Sequence, residues 1–187
     1  MKKHKNLLIF ITGTILFLLS LSYDNDMFLF FSNSRVLLFD LLFSVITNFG
    51  VVAVTLFLIP LLINHKKDKK FTYLLFAAFI VSFFLSFIMK ITISSARPVE
   101  IVNPILKGLD YSFPSMHAMI AFSLLPIILS KKSKFNGFFA IFAVLVALSR
   151  VYLGYHFLSD IVLGAFAGYF IGDIILNIAK NGKNKLS

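Results

Sequence analysis

The chain has 187 residues, 59% of them hydrophobic, with a mean hydropathy of +0.92. A soluble domain is about 45–50% apolar, so this composition describes one membrane-embedded domain and excludes an ordinary soluble globule. The absence of cysteine rules out disulfides and thiolate metal sites. A net charge of +10 would suit a nucleic-acid binder only if it formed a basic face, and here the lysines sit in short clusters between apolar runs.

A membrane-spanning helix needs about 20 apolar residues. In chain order, spans are predicted over 6–22, 41–63, 71–89, 115–130, 135–149 and 157–179. Residues 23–40 and 90–114 are the longer connections, and 27–39 reads as an interfacial helix or a re-entrant piece. The acidic pair in "DND" (24–26) is expected in a wet loop. The fourth and fifth runs cover roughly 23–24 Å at 1.5 Å per residue, short of a ~30 Å hydrocarbon core. A site at their ends would be recessed to headgroup depth. The start, "MKKHK" followed by an apolar core, also has the outline of a signal peptide. Its end, "LSLSY", is a poor cleavage site, so a retained first helix is favoured.

Six spans with a cytoplasmic N-terminus sort the basic residues sharply. Lys2, Lys3, Lys5, Lys66, Lys67, Lys69, Lys70, Lys131, Lys132, Lys134, Lys180, Lys183 and Lys185 fall inside, 13 of the 18. Arg35, Lys90, Arg97, Lys107 and Arg150 fall at or beyond the outer ends. By the positive-inside rule the expectation is an all-α polytopic bundle, N-in and C-in, in a plasma-type inner membrane.

That topology gathers reactive residues at the outer face. Lys90 ends the third span and Arg97 follows in the loop; "PSMH" (114–117) opens the fourth; Arg150 ends the fifth; His156 and Asp160 open the sixth. Singly, each basic residue is explained as an interfacial anchor, and His117 as a satisfied interfacial histidine. Asp160 is harder to dismiss, because acids in spans are costly and face the bundle interior. His156 and Asp160 are four apart and share a helix face, so the carboxylate can fix the imidazole tautomer. Three cations and a helix N-terminus suit a phosphate dianion, and two histidines supply a nucleophile and an acid. The residues alone do not say which histidine does which. Carboxylates are too sparse for a two-metal site, so no metal and no cofactor are expected.

Three motifs carry a resemblance. "KITISSARP" (90–98) reads K-x6-R-P, "PSMH" is close to P-S-G-H, and "SRVYLGYHFLSD" (149–160) reads S-R-x5-H-x3-D. The chain resembles the type 2 phosphatidic acid phosphatase (PAP2) superfamily, in its bacterial membrane lipid phosphatase branch. The resemblance implies one integral-membrane domain over 1–187. It implies His156 as the nucleophile that forms a phosphohistidine, Asp160 as its orienter and His117 as acid and then base. Lys90, Arg97, Arg150 and Ser115 would hold the phosphoryl oxygens. Met116 replaces the usual glycine, which puts the backbone contacts of that turn in question. The implied substrate is a lipid phosphate at the outer leaflet: a polyprenyl diphosphate such as undecaprenyl diphosphate, phosphatidylglycerol phosphate, phosphatidic acid or a lipid A phosphate. The implied partners are that lipid and the bilayer, with no nucleic acid and no obligate protein. Lipid-to-lipid phosphotransfer and a non-catalytic phospholipid-binding role are the alternatives.

Overall fold

The computed structural model describes residues 2–64, 68–99 and 111–181, with side chains from residue 7 onward. Among them are seven helices and no strand: α1 (Lys2–Asn33), α2 (Leu37–Ile46), α3 (Phe49–Asn64), α4 (Lys69–Ile93), α5 (Met116–Leu129), α6 (Asn136–Tyr152) and α7 (Leu158–Asn181). Residues 100–110 of the second long connection, with Lys107, lie outside the described residues, as do His65, Lys66, Lys67, Lys183 and Lys185.

Among the described residues, three helices are long and apolar enough to cross a membrane: Leu7–Asn33 within α1, α4, and α7. Helices α2 and α3 pass the same test together as a pair bent by 52°, while α5 and α6 are shorter apolar helices. Outward side chains such as Leu37 and Leu62 are each 74% exposed, which suits acyl chains and not water.

Two predicted connections fold differently. Residues 23–33 continue α1 instead of forming a wet loop, and Asp24 is half-buried there against α7. Its carboxylate accepts from the Ser159 N–H at 2.8 Å and from the Ser159 hydroxyl at 2.6 Å, capping α7 from outside. The segment 27–39 is therefore the end of α1, a turn and the start of α2 rather than one interfacial piece. The predicted span 41–63 is broken at Thr47 and Asn48, where the Asn48 side chain accepts from Gly50 N–H and starts a new helix. A π-helical turn, Val54–Leu58, precedes Pro60, whose missing N–H interrupts the helical ladder.

The short helix α5 is the centre of the bundle. Ala118–Ala121 and Ser123–Ile128 are buried, enclosed by α4, α6 and α7. It lies parallel to α7 in a register set by three glycines at four-residue spacing. A Cβ on Gly164 would fall 2.7 Å from the Ser115 carbonyl oxygen, one on Gly168 2.1 Å from that of Met119, and one on Gly172 2.0 Å from that of Ser123. Small residues let two backbones approach this closely. The consequence is functional: the N-termini of α5 and α7 end level, at the same end of the bundle.

Candidate active site

The loop from α6 to α7 is built by local rules. Helix α6 ends in a Schellman turn: Tyr155 N–H donates to Arg150 O at 3.0 Å and Gly154 N–H to Val151 O at 2.9 Å. Gly154 has φ +75°, the left-handed conformation that glycine adopts without steric cost. The same Arg150 carbonyl accepts the His156 N–H at 3.2 Å, which holds the imidazole directly after the turn. Asp160 is the third residue of α7, and its Oδ2 reaches back to the Phe157 N–H at 2.8 Å. That is the acidic half of a capping box, so helix capping fixes where the carboxylate sits.

His156 and Asp160 are each 2% exposed, and Nδ1 of the ring lies 3.3 Å from Asp160 Oδ2. The carboxylate assigns the ring proton to Nδ1 and leaves the lone pair on Nε2. Arg97 reaches that nitrogen, its guanidinium at 3.4 Å, while also donating to Tyr155 O at 2.7 Å. Burial pushes the His156 imidazole well below its ordinary pKa, and the charges of Arg150, Lys90 and Arg97 act in the same direction. The ring is therefore neutral at neutral pH, the form that can attack phosphorus.

Sequence reasoning missed Ser112. Its hydroxyl donates to Asp160 Oδ2 and sits 3.3 Å from His156 Nδ1, completing a buried three-membered network. The only signal was its place two residues before "PSMH" in the chain. The Ser112 carbonyl accepts from Lys90 Nζ at 2.9 Å, and that ammonium also donates to Tyr111 O. Lys90 thus fastens the segment before α5 to the end of α4. Loss of the hydroxyl in Ser112→Ala should lower kcat by about 10–100-fold, the range for partners that orient a reactive ring. KM should be little changed and Ser112→Thr should recover part of the rate. Equal losses in kcat for alanine and threonine in steady-state assays would remove the orienting role.

The remaining predicted residues collect around this network. Ser115 occupies the N-cap position of α5 without a side-chain cap, and its N–H donates to Asp160 O at 3.1 Å, which ties the two level helix starts together. Its hydroxyl is fully buried and has no hydrogen-bond partner among the described residues. Met116 is the first residue of α5, has no positive φ, and packs on the hydrophobic core. The position therefore does not call for glycine in this chain. His117 stands on the first turn of α5 with its ring edge-on to Phe49 at 4.8 Å. Arg150 is 8% exposed. It donates to Thr47 Oγ1 at 3.0 Å and lies 4.4 Å over the Tyr155 ring. This explains the break between α2 and α3, since it presents Thr47 to the guanidinium. No group of three or more His, Cys, Asp or Glu side chains that could hold a metal occurs among the described residues.

Residues 70–183, which include all seven predicted site positions, match the PAP2 superfamily. The chain belongs to the PAP2 superfamily. An undecaprenyl-diphosphatase from Sulfolobus acidocaldarius is 27% identical over 171 residues, covering 89% of this chain and 83% of the relative. Phosphatidylglycerophosphatase B from Bacillus subtilis is 35% identical over 113 residues, 54% of this chain and 53% of the relative. Among solved structures, a transmembrane PAP2-type phosphatidylglycerolphosphate phosphatase from Bacillus subtilis superposes with a TM-score of 0.72. It is 24% identical and shares the fold over 95% of this chain and 97% of that one. Aquifex aeolicus LpxE superposes with a TM-score of 0.65 at 27% identity, covering 82% and 94%. The PAP2 relatives are lipid phosphatases, hydrolases of phosphate esters, and this PAP2 chain is an integral membrane protein with apolar helices to match.

Proposed function

We propose that the chain removes a phosphate from a lipid at the outer face of the membrane through a phosphohistidine on His156. The observation that carries the reading is the buried network of Ser112, Asp160 and His156, with Arg97 at the ring nitrogen opposite the carboxylate. In the first step, His156 Nε2 attacks phosphorus and the bond to the lipid oxygen breaks. Once the phosphate dianion offsets the surrounding cations, His117 carries the proton that it gives to that leaving oxygen. In the second step His117 takes a proton from water, the resulting hydroxide attacks phosphorus, the N–P bond breaks and phosphate leaves. Lys90, Arg97 and Arg150 stabilise the charge on the phosphoryl oxygens in both transition states, and the Ser115 hydroxyl adds a hydrogen bond to one of them. No metal takes part in these steps.

Outer-face orientation is supported by the lysine clusters, which lie at the ends of the predicted spans remote from the site. It brings with it the six-span, N-in and C-in layout, with α5 and α6 as the short spans. The names of the two curated relatives favour a polyprenyl diphosphate or phosphatidylglycerol phosphate as substrate. A lipid lets its phosphate enter sideways while its tails stay in the bilayer.

The test is phosphate release by the purified protein from a panel of lipid mono- and diphosphates, with and without EDTA. Release from one of these two classes, unchanged by EDTA, is the expected result. Strong inhibition by EDTA would remove the metal-free mechanism. Labelled phosphate that stays in lipid, with none released, would mark transfer between lipids instead.

A further inference from the structure

The opposite end of the bundle holds a pocket that takes no part in this chemistry. It has a volume of about 390 Å³ and lies between the first turns of α4, the end of α5 and the last turn of α7. Lys70, Lys131 and Lys180 line it against one carboxylate, Asp68. Asp68 Oδ2 lies 2.6 Å from Lys131 Nζ, and Oδ1 accepts from Phe71 N–H at 3.1 Å. The hydrogen bond from Lys131 holds the Asp68 carboxyl below its ordinary range. Lys70 donates to Ala179 O, which ties the start of α4 to the end of α7. Beneath these charges the lining is apolar, from Phe71, Leu74 and Leu176.

A cationic rim over an apolar floor is the complement of a lipid headgroup. An inorganic anion would use the lysines and leave the floor wet. Position along the helices agrees. Twenty residues of α4 separate Lys70 from Lys90, roughly 30 Å at 1.5 Å per residue, the thickness of a hydrocarbon core. The pocket is therefore at headgroup level in the leaflet opposite the candidate active site. Basic pockets between membrane helices recognise anionic headgroups through such lysines. In sequence, Lys66 and Lys67 precede α4, Lys69 opens it, and Lys183 and Lys185 follow α7.

From this we infer that the pocket binds the phosphate of an anionic bilayer lipid, such as phosphatidylglycerol, which is held and not hydrolysed. The bound lipid bridges α4, α5 and α7. This inference is independent of the reaction at His156, because its readout is binding.

The experiment measures the thermal unfolding midpoint of the purified full chain in detergent micelles. Phosphatidylglycerol, phosphatidylcholine or inorganic phosphate is added in separate arms. Phosphatidylglycerol should raise the midpoint by about 2–4 °C, and the other two should not. The shift should fall by at least half in Lys131→Gln/Lys180→Gln and grow in Asp68→Asn, where an amide oxygen still caps α4. In Lys134→Gln, an exposed residue outside the pocket, it should be unchanged. Equal shifts in the double lysine variant and the wild type would overturn the inference. So would an equal shift from inorganic phosphate, or an Asp68→Asn shift no larger than wild type.

Discussion

His156→Ala is expected to abolish phosphate release, with a loss on the order of 10⁴-fold or more, the scale seen when a nucleophile is removed and binding is left intact. The reasoning runs from the backbone outward. The Schellman turn at Gly154 and the capping role of Asp160 hold the loop by main-chain bonds that do not involve the imidazole. The protein should therefore remain folded, with a near-normal unfolding midpoint, while the reaction stops. A trapping experiment adds what rate alone does not. With a labelled aryl phosphate, whose leaving group needs no acid, acid-labile and base-stable label should appear on the wild type during turnover. It should be absent from His156→Ala and accumulate in His117→Ala, where the attack on phosphorus proceeds but water is not activated. Label on the His156→Ala protein would transfer the nucleophile's role elsewhere, with His117 the first candidate.

Gly168→Ala carries the second large effect, although residue 168 lies about two turns along α7 beyond Asp160. Its Cβ would stand 2.1 Å from the Met119 carbonyl oxygen, and a backbone atom cannot rotate away as a side chain does. Overpacking of this kind costs typically ~1–3 kcal/mol, seen as a fall in the unfolding midpoint in detergent. The separation of α5 from α7 must also change. Because Ser115 N–H donates to Asp160 O across that seam, the shift reaches both histidine-bearing helix starts, and kcat should fall with stability. Gly137→Ala is the matched control. No atom lies within 4 Å of a Cβ there, and alanine favours a helix by ~1 kcal/mol over glycine. That variant should be neutral or slightly more stable. Loss of activity in Gly137→Ala as large as in Gly168→Ala would mean that the close approach is not what matters.

The part of the candidate site that was legible is the part whose residues are close in sequence. The four-residue spacing of His156 and Asp160 puts both on one face, and their contact is the one expected. Met116 was readable as a departure from the motif but not as to its effect, since the helix start that relieves the need for glycine is a backbone property. Ser112 and Asp24 were not legible as site-building residues. Each acts on a partner far along the chain, 48 residues away for Ser112 with Asp160 and 135 for Asp24 with Ser159. Apart from the place of Ser112 just before "PSMH", nothing in the neighbourhood of either residue announces such a contact. The glycines at 164, 168 and 172 stood in plain view at four-residue spacing, a pattern that marks close helix contact, yet their partner helix could not be named.

By itself, then, the sequence determined that the chain is helical and membrane-embedded, where most of its helices begin and end, and which ionisable residues are the candidates for the chemistry. Those follow from apolar run length and from short-range spacing, which depend on neighbours in the chain. Tertiary structure decided the rest. It made α5 and α7 parallel and level, turned Asp24 into a cap, broke the second span to offer Thr47 to Arg150, and joined Ser112 to the His156–Asp160 pair. Each of these depends on which helix faces which. That choice is made by backbone approach and buried hydrogen bonds between distant segments, quantities that no local pattern encodes.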